Sequence, residues 1–225
     1  MNETHDTLDP TNTPAPPQLS AVEARILGSL VEKEATTPDV YPLTTNAVVL
    51  ACNQKTAREP VMQLEPGEVA HALRQLETRG WVKAEHSGRS ERYTHRVDRV
   101  LGVTRAQSAL LAVLMLRGPQ TVAELAARSE RLASFASTDD VQYALERLAQ
   151  REPALARLIP RQGGQREDRY AHLLSGEPAI PVAAPATTSA RGDSAGLAER
   201  VQSLEARVAA LEAALAGASA APPDA

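Results

Sequence analysis

Apolar residues recur at helical spacing from residue 20 onward. Val22, Ile26, Leu27, Leu30 and Val31 form one stripe, and Ser20 stands three residues before Glu23, the spacing of a capping box. The pattern predicts a helix over 20–35. Leu43, Ala47, Val48 and Leu50 predict a second helix from Pro42 to Gln54. The polar segment KTAREPVMQLE follows and leads to Pro66, well placed as the first residue of a third helix. That helix carries Val69, Leu73 and Leu76 on one face and ends at Gly80. Trp81 to Arg96 reads as two short strands about a Ser87-Gly88 turn.

The same order then repeats. Arg105–Arg117 predicts an apolar helix. Thr121–Arg131 predicts a short one that Thr121 can cap, and Thr138–Gln150 a third with Val141, Leu145 and Leu148 facing inward. Leu155 to Leu174 predicts a second hairpin around Gly163-Gly164. Two short strings carry the repeat: HALRQL (71–76) answers YALERL (143–148), and RYTH (92–95) answers RYAH (169–172). Three helices followed by a hairpin is the winged-helix order, in which the hairpin closes the open side of a small helical core. The expected fold is therefore mainly α with small β-hairpins, an α+β chain. Its expected parts are a disordered head (1–18), winged-helix domains over 19–103 and 104–175, an Ala/Pro linker (176–196), a short coiled-coil helix (197–216) and a disordered end (217–225).

The tail has its own periodicity. Val201 and Val208 fall at heptad position a, Leu197, Leu204 and Leu211 at d, and Leu215 at the next a. Branched a with Leu at d favours a parallel pair. Arg200 and Arg207 fall at g, and Glu205 and Glu212 at e. A parallel partner then sets Arg200 against Glu205 and Arg207 against Glu212, whereas an antiparallel one would oppose like charges. The expectation is self-association through this helix; the alternative is a single amphipathic helix that packs back on the body.

A resemblance of longer reach follows. EARILGSLVEKEATTPDVYPLTTNAVVLACNQKTAREPVMQL (23–64), LRGPQTVAELAARSERL (116–132) and REDRYAHLLSGE (166–177) resemble the YceH family of bacterial tandem winged-helix proteins, with CNQKTAREPVM the most specific string. The resemblance implies the same fold and brings with it no reaction, ligand or operator.

Charge and composition narrow the function classes. Of 225 residues, 43% are apolar and one is cysteine, which excludes an intramolecular disulfide and favours a reducing cytoplasm. The start, MNETHDTLDPTNTPAPPQL, has neither a basic region nor an apolar run and does not read as a signal peptide, and no window is long and apolar enough to span a membrane. Net charge is −4, and the acidity sits in the ends: residues 1–19 carry three carboxylates and no cation, and residues 176–225 six against three. Residues 20–103 balance eleven against eleven, and 104–175 carry ten cations against eight carboxylates. A near-neutral body makes any claim on nucleic acid a matter of local patches.

Those patches are few. In a winged helix the third helix enters the major groove and the wing lies along the phosphates. Arg74, Gln75 and Thr78, beside His71, are the expected base-reading residues, with Glu65 and Glu68 opposing. Arg89 and Arg92 of the first wing, and Arg161, Arg166 and Arg169 of the second with Arg157 nearby, are the expected phosphate contacts. Asp139, Asp140 and Glu146 make the second third-helix a poor groove reader. For the loop 52–60 two readings stand. Asn53, Gln54, Lys55 and Arg58 form a recognition surface, or the loop folds back with Asn53 capping a helix end and Val61, Met62 and Leu64 in the core.

Cys52, in an apolar helical run, reads as a buried inert thiol. The five histidines have no metal-ligand spacing; Tyr93 and Tyr170 are expected to pack on the helices with His95 and His172 near the wing edge. Phosphate-loop, dinucleotide and nucleophile-elbow motifs are missing, so no enzyme, cofactor or metal is expected. The expected function is a cytoplasmic, dimeric, DNA-binding or transcription-associated protein with double-stranded DNA as partner and no membrane. The alternative is a scaffold of winged helices that binds a protein and no nucleic acid.

Overall fold

A computed structural model of the chain describes residues 18–87, 90–161, 165–178, and Gln202 and Glu205. Helix α1 (Ala21–Thr36) starts where the capping box places it: the Glu23 amide donates to Ser20 Oγ (3.2 Å) and the Ser20 amide to Glu23 Oε2 (2.8 Å). From Ala24 to Val31 it is buried on all sides, because helices pack against more than one of its faces.

Helix α2 (Thr45–Cys52) begins later than the apolar pattern predicts. Leu43 and Thr44 instead form a two-residue strand, β1, and the Thr44 hydroxyl accepts the Ala47 amide (3.3 Å) as the cap. Helix α3 (Pro66–Thr78) has Pro66 in its first turn and buries Val69, Ala72, Leu73 and Leu76; Gly80 follows at φ +77°, a conformation that favours glycine. Strands β2 (Val82–Ser87) and β3 (Ser90–His95) pair antiparallel with Ser87 opposite Ser90, and β1 joins the other edge of β3 with Leu43 opposite Tyr93. A five-residue helix that the periodicity does not predict, α4 (Val97–Leu101), links this hairpin to the second half.

Helix α5 (Arg105–Arg117) has the predicted bounds, and every residue from Ser108 to Leu116 is buried. Helix α6 (Val122–Ser129) is capped by Thr121 as the sequence predicts, and Glu124 completes a capping box (Glu124 amide to Thr121 Oγ1, 3.2 Å). Helix α7 (Thr138–Ala149) is capped by Ser137 and buries Val141, Leu145 and Leu148. Strands β4 (Ala156–Ile159) and β5 (Arg169–His172) form the second hairpin, and the Gln120 backbone exchanges two hydrogen bonds with Tyr170 along the open edge of β5. Among the described residues the fold is thus seven α-helices with two small antiparallel sheets, an α+β arrangement.

One buried cluster runs through both halves, joining Ile26, Leu27, Leu73 and Trp81 to Leu111, Ala112, Leu148 and Leu174. Helix α1 lies directly on α5. A Cβ on Gly28 would sit 2.9 Å from Leu116 Cγ and 3.3 Å from the Ala112 carbonyl oxygen, so glycine is what permits this approach. Backbone bonds reinforce the contact: the Glu59 amide donates to the Leu116 carbonyl (2.8 Å), and the Leu19 amide to the Leu174 carbonyl (2.6 Å). Arg151 closes α4 by donating to the Leu101 and Gly102 carbonyls (2.7 and 3.0 Å).

The tail seam (Leu197, Arg200, Val201, Leu204, Arg207, Val208, Leu211, Glu212, Leu215) lies outside the described residues; Gln202 and Glu205 are helical and exposed. The head (1–17), Arg89 and the Gly163-Gly164 turn lie outside them as well.

Candidate functional site

The outward face of α3 presents His71, Arg74, Gln75 and Thr78 to solvent. The Arg74 guanidinium has no hydrogen-bond or ion-pair partner among the described residues, whereas the Thr78 hydroxyl turns back to donate to the Arg74 carbonyl (2.9 Å). Next to them Arg79 is held by Glu23 and by the Gln18 carbonyl, and Glu77 accepts the Ala84 amide (3.1 Å), bracing the hairpin. Glu68 accepts the Glu65 amide (2.9 Å), so carboxylates stand at the end of α3 that opens toward solvent. His71 and Gln75 also line an open cavity of about 340 Å³ with Ser20, Val22, Glu23, Glu68 and Ala72.

The loop after α2 corrects one sequence expectation outright. Arg58 is not a surface contact; its side chain is fully buried. Its guanidinium spans Glu32 of α1 (Nη1–Oε1 3.1 Å, Nη2–Oε2 2.6 Å) and donates through Nε to the Ala51 carbonyl (3.0 Å). A second arginine, which the sequence analysis does not single out, completes the clamp. Arg25 of α1, 1% exposed, donates to the Cys52 carbonyl (3.2 Å) and the Pro60 carbonyl (2.6 Å). Burial lowers the Arg25 pKa, and the Arg58 charge lowers it further. Asn53 ties the far end of the loop by accepting the Leu64 amide (2.8 Å) and donating to the Leu64 carbonyl (2.9 Å). The fold-back reading of 52–60 describes the loop in part: Asn53 ends α2 and Leu64 packs partly buried against the core, whereas Met62 is half-buried outside the core and Val61 is 53% exposed. The missed signal is a polar stripe in α1, where Arg25, Ser29 and Glu32 recur at i, i+4 and i+7 inside an apolar run. Lys55 remains exposed.

The hairpin arginines are mostly engaged. Arg92 is half-buried and donates to the Pro42 carbonyl (2.8 Å). Arg169 donates to Glu124 (2.8 Å) and the Pro119 carbonyl (3.1 Å); Arg128 also faces Glu124 (3.4 Å). Burial raises the Glu124 pKa, but the backbone bond at Thr121 and the two arginines outweigh it and hold the carboxyl below its ordinary value. Arg157 pairs with Glu177. Arg161 donates to the Arg166 carbonyl (3.3 Å) through Nη1, and its amide to Asp168 (2.8 Å); Arg166 is exposed. The structure thus brings Arg161 and Arg166 together, and turns Arg58, Arg92 and Arg169 toward protein acceptors.

Tyr93 and Tyr170 are buried as expected, but the histidines beside them are not at the wing edge. His95 sits at the base of the hairpin opposite Val82, its side chain 4% exposed against Glu34. His172 lies opposite Ala156, its Nδ1 buried without a partner, and burial pulls its pKa down to about 4. In β3 the strand alternation that buries Tyr93 also buries His95 two residues on, whereas in β5 Tyr170 and Ala171 are both buried and His172 is half-buried. Cys52 is buried against Ser29, and burial pushes its thiol up to about 11. No helix of the described residues is long and apolar enough to cross a membrane.

Comparison with known proteins gives a consistent result. A family profile described as "Protein of unknown function, DUF480" matches residues 19–165. A UPF0502 protein of Stenotrophomonas maltophilia strain R551-3 is 58% identical over 212 residues, covering 92% of this chain and 97% of that protein. The UPF0502 protein XAC4278 of Xanthomonas axonopodis pv. citri is 57% identical over 212 residues, covering 92% of this chain and 95% of that protein.

Proposed function

The chain belongs to the DUF480 family, named UPF0502 in these relatives, and from that premise we propose that it is a tandem winged-helix adaptor that docks a protein partner, without catalysis. The winged-helix reading is supported by the order α1–α2–α3–β2–β3 and its repetition as α5–α6–α7–β4–β5, with HALRQL on α3 and YALERL on α7. The observation that carries the adaptor reading is the engagement of the cations. Arg58 is buried on Glu32, Arg92 is bound to a carbonyl, Arg169 is bound to Glu124, and Arg161 is bound within its own hairpin. Tight duplex binding usually draws on six to ten phosphate contacts. Helix α7 instead exposes Tyr143 (65%) among Asp139, Asp140, Gln142 and Arg147, an aromatic in a mixed-charge face with more carboxylates than cations, which suits a protein surface better than a phosphate ridge. Self-association through the heptads of the tail would present two copies of each face, and the reading places the protein in the cytoplasm.

Fluorescence anisotropy with random duplex DNA at low salt tests this reading. The adaptor binds no DNA; binding that weakens steeply with salt would overturn it. One observation favours the second reading, DNA contact through α3 alone: Arg74, Gln75 and Thr78 are exposed together and the Arg74 guanidinium has no partner among the described residues. Arg74→Ala would then abolish whatever DNA binding is seen. For the tail, light scattering of Leu204→Glu/Leu211→Glu against the unaltered chain should show the mass halved.

A further inference from the structure

A polar network links the first hairpin to the second half, and no role described so far uses it. His95, at the end of β3, lies between Glu34 of α1 (Nε2···Oε2 3.0 Å) and Asp98 of α4 (Nδ1···Oδ1 3.7 Å). Its Nδ1 accepts the Val97 amide (3.3 Å), the first amide of α4, a helix whose preceding residue Arg96 supplies no side-chain cap. Nδ1 is therefore bare in this arrangement and Nε2 carries the hydrogen donated to Glu34. Tyr41 Oη accepts the His95 amide (2.8 Å), with its ring edge-on to the imidazole. From α5, Ser108 donates to Asp98 Oδ1 (3.0 Å), and Arg105 faces Glu34 (3.9 Å).

We infer that His95 is a proton-controlled latch between β3 and α5. A second proton on the ring goes to Nδ1, where it meets the Val97 N–H, donor against donor. The nearest acceptor is then Asp98 Oδ1, which already serves Ser108. Neutral His95 caps α4 and leaves Asp98 to hold α5; protonated His95 gives up the Val97 bond, draws Asp98 to itself and loosens Ser108. Glu34 keeps its bond to Nε2 in both states, so the ring pivots about that bond. Arg105, Tyr41 and the two carboxylates are the other charged or titratable groups facing the ring.

The test is an NMR titration of the ¹⁵N-labelled full chain from about pH 8 to 5, the range that brackets an ordinary imidazole. At the upper end, the ring shows the Nε2–H tautomer and a coupling across the hydrogen bond from the Val97 nitrogen to His95 Nδ1. As the ring protonates, that coupling is lost, Val97 loses amide-exchange protection and Ser108 shifts with the same midpoint. In Asp98→Asn the ring still titrates and the Ser108 response disappears; in His95→Gln both responses disappear. A ring that holds the other tautomer, fails to titrate, or titrates while Val97 keeps its protection overturns the latch, as does a Ser108 response that survives in Asp98→Asn. The Asp98→Asn arm keeps the proposal testable even where His95→Gln does not fold.

Discussion

Helices α3 and α7 occupy corresponding places 72 residues apart and agree on one face only. Inward, Val69, Leu73 and Leu76 match Val141, Leu145 and Leu148, all fully buried. Outward, His71 corresponds to Tyr143 and Arg74 to Glu146, a reversal of charge at one position; the Arg74 guanidinium is free of partners among the described residues while Glu146 accepts from Gln142 (2.9 Å). The hairpins differ in the same manner. RYTH and RYAH both bury the tyrosine, yet His95 is buried against Glu34 while His172 is half-buried with its Nδ1 left without a partner. The apolar rungs that make each half fold have been kept while the polar groups around them have diverged, so the two halves do not offer two copies of one surface.

The largest effect should come from the buried arginine clamp of the first half, which has no counterpart among the described residues of the second. Arg58→Ala leaves Glu32 and the Ala51 carbonyl without their buried donor and should cost about 3–5 kcal/mol in urea unfolding. Second, Leu73→Ala and Leu145→Ala should cost about 2–5 kcal/mol each and similar amounts, since the two sites are equally buried. A cost confined to one of them would break the equivalence of the inner faces. Third, the second hairpin should be the more acid-sensitive. The unfolded chain takes up the His172 proton near pH 6.5 and the folded chain only near 4, so stability is full above about 7 and falls as pH drops between them. The loss from pH 8 to 5 is about 2 kcal/mol, and His172→Phe should flatten that slope. Smallest, Arg74→Glu and Glu146→Arg should each change stability by less than about 0.5 kcal/mol while altering whatever partner binding is measured, which would locate function on the diverged faces.

Much of this was legible wherever an interaction is local. The bounds of α5, the capping box at Ser20, the cap at Thr121, and the inward faces of α3 and α7 follow from residues within one or two turns of each other. Strand β1 and helix α4 did not announce themselves. Two and five residues are too short to show a period, and both exist because a distant partner, β3 or Arg151, completes them. Arg58 was legible as unusual but not as buried: a charged loop residue reads as solvated until Glu32, 26 positions earlier, and the Ala51 carbonyl are known to converge on it. His95 fails for the same reason, its decisive neighbour Glu34 lying 61 positions away.

The hydrogen bond from the Leu19 amide to the Leu174 carbonyl has an engineering consequence. Residues 19 and 174 thus lie side by side, so a short loop from Gln18 to Ser175 could close residues 19–174 into a ring, and the ring could be reopened between Ser87 and Ser90 without cutting any helix. Such a rewired polypeptide would keep its core while moving its free ends to the tip of the first hairpin, where a reporter could be attached far from the original ends in sequence.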